Sequence, residues 1–306
     1  MCLVMLFACK KEDDTEDVVP PRDRGAEAIV AEAEVRTFLQ THFYNYEEFQ
    51  NPPADFDFKI EFGLIEGINS TKIPLIDQVS VKQVTDTEDE EVVYDLYYLV
   101  AVQGGGETIQ FADVTTVKYE GLLLSDLTRF DNSIVPIRFD LSGFDNKVQS
   151  GLAVIEGIQT GLVGFNVAEN FLINSDGTLD YKNFGVGAVF LPSGLAYYQN
   201  SPSIDIPQYA QLIFTFQTLQ TIRGDQDNDG ILTIFEDLNN NMDEKDDDTD
   251  KNRVPNYLDR DDDGDEIPTS VEIRDENGNI PEDNDGDGMP DYPKTNGKFN
   301  YLDPNN

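Results

Sequence analysis

Hydrophobic and polar positions fall into three regimes along this chain. Over residues 26–49 the apolar positions Val35, Phe38, Leu39, Phe43 and Tyr46 recur three and four residues apart. That spacing predicts an amphipathic helix, stopped by Asn51-Pro52-Pro53. His42 lies beside the stripe and reads as a packing or surface residue, not a ligand. Phe56-Asp57-Phe58-Lys59-Ile60-Glu61-Phe62 then alternates with period two, as a half-buried strand does. In the second regime, residues 94–102, 114–121, 136–141 and 212–219 read as strands, and Gly104-Gly105-Gly106 as a turn. Residues 154–163 read as the one short helix among them. A lone helix among alternating strands predicts an α+β domain with an antiparallel sheet. In the third regime, beyond Arg223-Gly224, acids at alternate positions replace the apolar runs.

Composition sharpens this division. The 306 residues carry 60 Asp+Glu against 21 Lys+Arg, a formal net charge of -39. Such a field excludes nucleic acid as a partner, because that affinity comes from cations neutralising phosphates. It also excludes docking on anionic lipid through a basic patch. A single His excludes a histidine-rich zinc or iron centre within one chain. Residues 222–306 hold 26 of the acids but only 8 of the basic residues, so much of the charge has one address.

The amino terminus has its own pattern. Leu6-Phe7-Ala8-Cys9 closes an apolar run, and Lys10-Lys11-Glu12-Asp13-Asp14 follows at once. This resembles the end of a bacterial lipoprotein signal, in which Cys9 is acylated and becomes the first mature residue. The run is short and lacks a basic leader, and Phe7 is bulky for its place. Cys2 would leave with the signal, so the mature chain would have no disulfide. The resemblance implies a membrane anchor at Cys9. The Lys-plus-acid run resembles the export tag of surface lipoproteins of Bacteroidetes-type bacteria. Localisation in the cell envelope, as an outer-membrane lipoprotein exposed at the surface, is the expectation.

Six segments of the middle region, in order, resemble the FK506-binding (FKBP-type) peptidyl-prolyl isomerases. They are Val117-Lys118-Tyr119-Glu120-Gly121-Leu122-Leu123, Phe130-Asp131-Asn132-Ser133, residues 136–141, Val154-Ile155-Glu156-Gly157-Ile158-Gln159-Thr160-Gly161-Leu162, Pro192-Ser193-Gly194-Leu195-Ala196-Tyr197 and residues 206–219. The resemblance implies an FKBP-like antiparallel sheet wrapped around one short helix. It implies a concave apolar pocket lined by Tyr119, Phe130, Asp131, Ile137, Val154, Ile155, Ile158, Tyr197 and Phe214. In that family the backbone N–H matching Ile155 and the hydroxyl matching Tyr197 hold substrate carbonyls, and the carboxylate matching Asp131 lies at the rim. Catalysis there needs no cofactor, and the partners are proline-containing polypeptides. Three departures stand out. Ile158 replaces the usual Trp of the pocket floor, Tyr198 replaces a Gly, and about 20 residues around Asn174-Ser175-Asp176-Gly177 are inserted.

The tail opens with Asp225-Gln226-Asp227-Asn228-Asp229-Gly230-Ile231, followed by Glu236. Alternate oxygens, a Gly turn and a distal Glu are the ligand spacing of a calcium loop. Asp225, Asp227, Asp229, the Ile231 carbonyl and Glu236 would be the ligands. The alternation returns at Asp259, Asp261, Asp263 and Asp265, and at Asp283, Asp285, Asp287 and Asp291. These resemble thrombospondin type-3 calcium repeats. The expectation is structural calcium on a wired string that is extended without metal. The domains expected are 1–9 signal, 10–25 tether, 26–90 helix-plus-strand region, 91–221 isomerase domain and 222–306 acidic calcium-repeat tail. The function expected is X-Pro isomerisation that assists folding in the cell envelope. A non-catalytic FKBP-fold binding module, displayed with the calcium repeats, is the alternative.

Overall fold

The computed structural model describes residues 20–143, 151–240 and 243–305; Cys9 and most of the tether lie outside them. Asp23 opens helix α1 (Arg24–Thr41), its carboxylate accepting the Ala26 backbone N–H at 2.8 Å. That bond satisfies one of the donors a helix start leaves unpaired. Ala31, Val35, Phe38 and Leu39 form its buried face. The helix stops at Thr41 rather than running to residue 49. Strand β1 (His42–Tyr44) follows, then α2 (Tyr46–Gln50), then β2 (Phe62–Leu64), which pairs antiparallel with β1. The break has a packing cause. Tyr44 and Tyr46 both enter one apolar cluster, and residues two apart on a continuous helix point to different sides. His42 stacks on Phe38 with ring centroids 4.0 Å apart, a packing role. The strand expected over residues 56–62 forms only at its last residue. Phe58 takes a φ of 59° instead and packs among Phe49, Phe56 and Phe184.

The chain continues through β3 (Ser80–Thr85), β4 (Val93–Val102), β5 (Val114–Leu123), β6 (Arg129–Asp140) and β7 (Leu152–Ala153). Helix α3 (Glu156–Leu162), a hairpin of β8 (Asn170–Ile173) and β9 (Leu179–Lys182), β10 (Gly185–Leu191) and β11 (Leu212–Ile222) complete this region. The inserted residues are thus that hairpin, closed by a turn at Asn174 and Gly177. Seven strands form one sheet in the order β3-β4-β10-β11-β5-β6-β7. All its neighbours are antiparallel except the short β6–β7 pair.

Both faces of this sheet are covered, which is why its central strands read as nearly unbroken apolar runs. All seven residues of β10 are buried. Val189 and Leu191 face α3, with Ile158 and Leu162 packed on them. Ala188 and Phe190 face the other way, toward Val35, Phe38 and Leu39 of α1. Glycine sets how closely α3 approaches. A Cβ at Gly161 would lie 2.6 Å from Val189 Cγ1, and one at Gly157 2.5 Å from Leu191 Cδ2. Lys82 on the edge strand β3 donates to the Thr160 and Val163 carbonyls at 2.9 and 2.5 Å, closing the end of the helix. Burial there lowers its pKa to about 8.

The tail is compact rather than a string. Ile231, Ile273, Tyr292, Tyr301 and Leu302 make a core of their own. Helix α4 (Thr269–Glu272) and the pair β12 (Lys294–Thr295) and β13 (Lys298–Phe299) are its regular elements. It docks on the sheet domain through Phe111 against Tyr257, 5.7 Å between centroids, and through Gln226, which donates to the Ala112 carbonyl at 2.9 Å.

Candidate functional site

The sheet and α3 bring eight of the nine expected pocket residues into one apolar cluster, and Asp131 lies at its edge on the Tyr119 hydroxyl. Phe214 on β11 and Ile158 on α3 are buried, at 3% exposure each. Tyr119, Phe130, Ile137, Val154, Ile155 and Tyr197 are half-buried and pack on them. Pairing places Phe214 opposite Gly121, and Gly121 opposite Asp131. Tyr119 and Phe130 meet Phe214 with centroids 6.3 and 5.6 Å away, and Tyr119 meets Phe139 at 5.2 Å. Tilted and edge contacts at these separations are the favoured aromatic geometry. Gly121 is required here for space. A Cβ on it would fall 2.7 Å from Phe130 Cζ and 3.1 Å from Phe214 Cε1.

The polar groups sit at the rim. The Tyr119 hydroxyl donates to Asp131 Oδ2 at 2.6 Å, and Asp131 itself is exposed. Burial, reinforced by that carboxylate, pushes the Tyr119 phenol up from its ordinary value. Burial likewise raises Tyr197, with the Asp131 charge adding to it. Both hydroxyls therefore remain protonated donors across the neutral range. A break in the β5–β6 register between Tyr119 and Val117 leaves Ile134 and Val135 exposed on β6, between Ser133 and Ile137. Ile155 stands at the start of α3, extended at ψ 152°.

The Tyr198 departure keeps the backbone shape that glycine would supply. Tyr198 has a φ of 51°, in the left-handed region that disfavours a side chain. Its surroundings hold it there. Its N–H donates to the Ser193 carbonyl at 3.0 Å, and its hydroxyl donates to the Arg22 carbonyl at 2.7 Å. The Arg24 guanidinium lies 4.5 Å from its ring centroid, and Tyr209 packs edge-on at 4.9 Å.

A second constellation occupies the tail. Asp225, Asp227 and Asp229 offer oxygens within 4.8 Å of one another, and so do Asp229, Glu236 and Asp262. Glu236 and Asp262 are each 1% exposed. Seven carboxylate oxygens of these five residues are buried without a hydrogen-bond partner. Burial, with neighbouring carboxylates adding to it, pushes Asp229 up to about 7, Asp227 to about 8, Asp262 to about 9 and Glu236 to about 11. Uncompensated buried charges of one sign cost several kcal/mol each, and a cation among these oxygens is the direct remedy. An all-carboxylate donor set suits a hard divalent ion such as calcium. Gly230 turns the loop at φ 103°.

The other acids differ in kind. Asp261, Asp263 and Asp265 form a partly buried group, and Asp283, Asp285 and Asp287 a fully exposed one. Asp259 and Asp291 lie outside these groups, each accepting an Asn side-chain amide, from Asn252 and Asn284. Ile231 donates its N–H to Asp229 Oδ1 at 2.7 Å and buries its side chain in the tail core. Asp262 was missed by sequence reasoning. It breaks the alternate spacing of Asp259, Asp261, Asp263 and Asp265 and faces the first loop instead of its own. The signal was the unbroken run Asp261-Asp262-Asp263, since an acid of opposite parity points to the opposite side.

Comparison with known proteins bears on both regions. Residues 105–218 match the model of the FKBP-type peptidyl-prolyl cis-trans isomerase family. Residues 226–280 match a second family model, described as BamM C-terminal. Similar solved structures include FkpA from Escherichia coli, at 22% identity and a TM-score of 0.34 over 64% of this chain and 61% of that one. The chain thus spans about three fifths of the length of FkpA. A peptidyl-prolyl cis-trans isomerase from Pseudomonas syringae pv. tomato matches at 16% identity and a TM-score of 0.34, over 63% of this chain and 95% of that one. AtFKBP13 matches at 19% identity and a TM-score of 0.31, over 46% and 99%. No curated protein matches the chain.

Proposed function

We propose that this chain isomerises X-Pro bonds in polypeptides of the cell envelope, using the aromatic pocket of its FKBP-type domain. The observation that carries this reading is the convergence of Tyr119, Phe130, Tyr197 and Phe214 with Ile155 in one cluster, all but Phe214 half-buried. An X-Pro bond rotates over a barrier of roughly 20 kcal/mol, because twisting it breaks amide resonance. The planar amide is the more polar form, so a dry aromatic wall favours the twisted one, and no proton need move. Tyr197 and the Ile155 N–H would hold carbonyls on either side of the rotating bond. Adding the protein at micromolar concentration to a refolding reaction limited by a cis proline is expected to shorten its slow phase. A slow phase of unchanged rate would contradict the reading.

Ile158 supports a second reading, a module that binds proline segments without turning them over. An aliphatic floor gives less aromatic contact to the rotating ring. Peptide binding without acceleration would select it.

The tail, in this proposal, holds structural calcium on Asp225, Asp227, Asp229, Glu236 and Asp262. Acyl chains on Cys9 would anchor the whole chain to the outer membrane, with the calcium repeats at the surface. Cys9→Ser is expected to move the protein from the membrane fraction to the soluble one.

A further inference from the structure

A cavity opens at the edge of the aromatic cluster. It has a volume of about 510 Å³ and is lined by Ile155 and Tyr197, which also pack on the aromatic cluster. Its charged lining groups are Arg24, Glu88 and Glu156. Arg24 is already committed. Its guanidinium is hydrogen-bonded to the Asp86 carboxylate, which is 2% exposed and also accepts the Tyr94 hydroxyl at 2.8 Å. Arg24 also covers the Tyr198 ring. The remaining Asp86 oxygen accepts the backbone N–H groups of Glu88 and Asp89 at 2.7 and 3.2 Å.

Among the described residues neither glutamate is in an ion pair, although the charges of Lys245 and Arg24 reach Glu156. Glu156 is half-buried and accepts the Thr87 hydroxyl at 3.5 Å. Burial pushes its pKa up, followed by an opposing pull from Lys245. Lys245 lies over the Phe111 ring and is not part of the cavity wall. Glu88 is exposed, and its carboxylate has no ion pair among the described residues. Among the described residues the cavity therefore presents two carboxylates outside any ion pair, one partly desolvated, in a wall shared with Tyr197 and Tyr198.

We infer that this cavity is a subsite for a Lys or Arg side chain that flanks the proline of the bound segment. A cationic head reaching Glu156 and Glu88 gains a charge-assisted hydrogen bond, while its aliphatic stem lies along the aromatic rings. An acidic side chain would face two like charges. The net charge of -39 acts in the same direction, concentrating basic segments near the surface. The inference rests on the isomerase-pocket reading and adds a substrate class to it.

The test uses short X-Pro peptides that differ at one residue beside the dipeptide, on either side: Lys, its uncharged isostere norleucine, or Glu. Affinity for the full chain is read by calorimetry, and cis–trans exchange by NMR. On one of the two sides the Lys peptide is expected to bind about tenfold tighter than the norleucine peptide, the size of one charge-assisted hydrogen bond. The Glu peptide is expected to bind more weakly than either. Glu156→Gln combined with Glu88→Gln should bring the Lys-to-norleucine ratio close to one. Equal affinities for Lys and norleucine on both sides would overturn the inference, as would a ratio unmoved by the double substitution. The Lys-against-norleucine comparison needs no variant, so it stands even if the substituted chain misfolds. Acceleration without a charge preference removes the subsite alone, whereas a charge preference without acceleration removes the isomerase reading alone.

Discussion

The aromatic pocket and the tail centre are both built from groups withdrawn from water, yet burial means opposite things in them. In the pocket, Phe214, Ile158 and their neighbours gain from leaving water, and every polar group stays at the rim. That arrangement holds itself together without a ligand. In the tail, five carboxylates converge with seven unpartnered buried oxygens, so burial stores repulsion until a cation arrives. A pocket can be empty and stable; a buried carboxylate cage cannot be both charged and empty at low cost.

The largest expected effect comes from removing the ring at the centre of the pocket. Phe214→Ala should cost about 3–5 kcal/mol of stability and abolish X-Pro acceleration, with no change in calcium affinity. Thermal melting and a calcium titration on the same sample check both halves. If calcium affinity falls as well, the two regions are not independent.

Next in size is calcium itself. Raising calcium to about a hundred times its Kd should stabilise the tail by about 2.7 kcal/mol, and chelation should reverse this. Asp262→Asn should weaken calcium binding as strongly as Asp229→Asn does. Identical melting with calcium and with chelator would sink the metal centre. The pH dependence sharpens the point. Without cation the folded tail keeps protons on Asp229, Asp227, Asp262 and Glu236, whose pKa values rise to about 7, 8, 9 and 11. The unfolded chain releases them near pH 4. The folded state thus binds more protons above that pH, and tail stability falls as pH rises from about 4 toward those values. Calcium should flatten or invert this slope, and melting across that pH range with and without the ion checks the sign.

Gly121→Ala is a smaller probe. Its added methyl would press on Phe130 and Phe214, at a cost of about 1–3 kcal/mol. Peptide affinity should fall with stability in this variant, because the displaced rings are the pocket wall. Smallest is Tyr119→Phe, which removes the hydrogen bond to Asp131. A stability loss of about 1 kcal/mol or less is expected for so exposed a partner, measured by chemical denaturation.

Much of the sheet domain was legible because its strands carry two buried faces and its glycines mark close approaches. The six motif segments carry eight residues that share one apolar cluster, with Asp131 at its edge. The amino-terminal region was less legible. Its helical spacing continued through Tyr46 and Phe49, but the need to bury Tyr44 and Tyr46 together interrupted the helix with a strand. That requirement is tertiary and leaves no mark on periodicity. The alternation over residues 56–62 misled for a similar reason, since its phenylalanines pack among themselves instead of along a strand. In the tail, ligand spacing within one loop was readable. The contribution of Asp262 was not, because it depends on how two loops face each other. The core of Tyr292, Tyr301 and Leu302 was also hidden, its apolar residues being widely spaced among acids.

Exchange NMR on a short X-Pro peptide tests the central claim most directly. With micromolar full-length protein, cis–trans exchange is expected to run well above the uncatalysed rate, whose time constant is tens to hundreds of seconds. An FK506-type ligand that fills the aromatic pocket should return it to that rate. Exchange at the uncatalysed rate in the presence of folded protein would contradict the account.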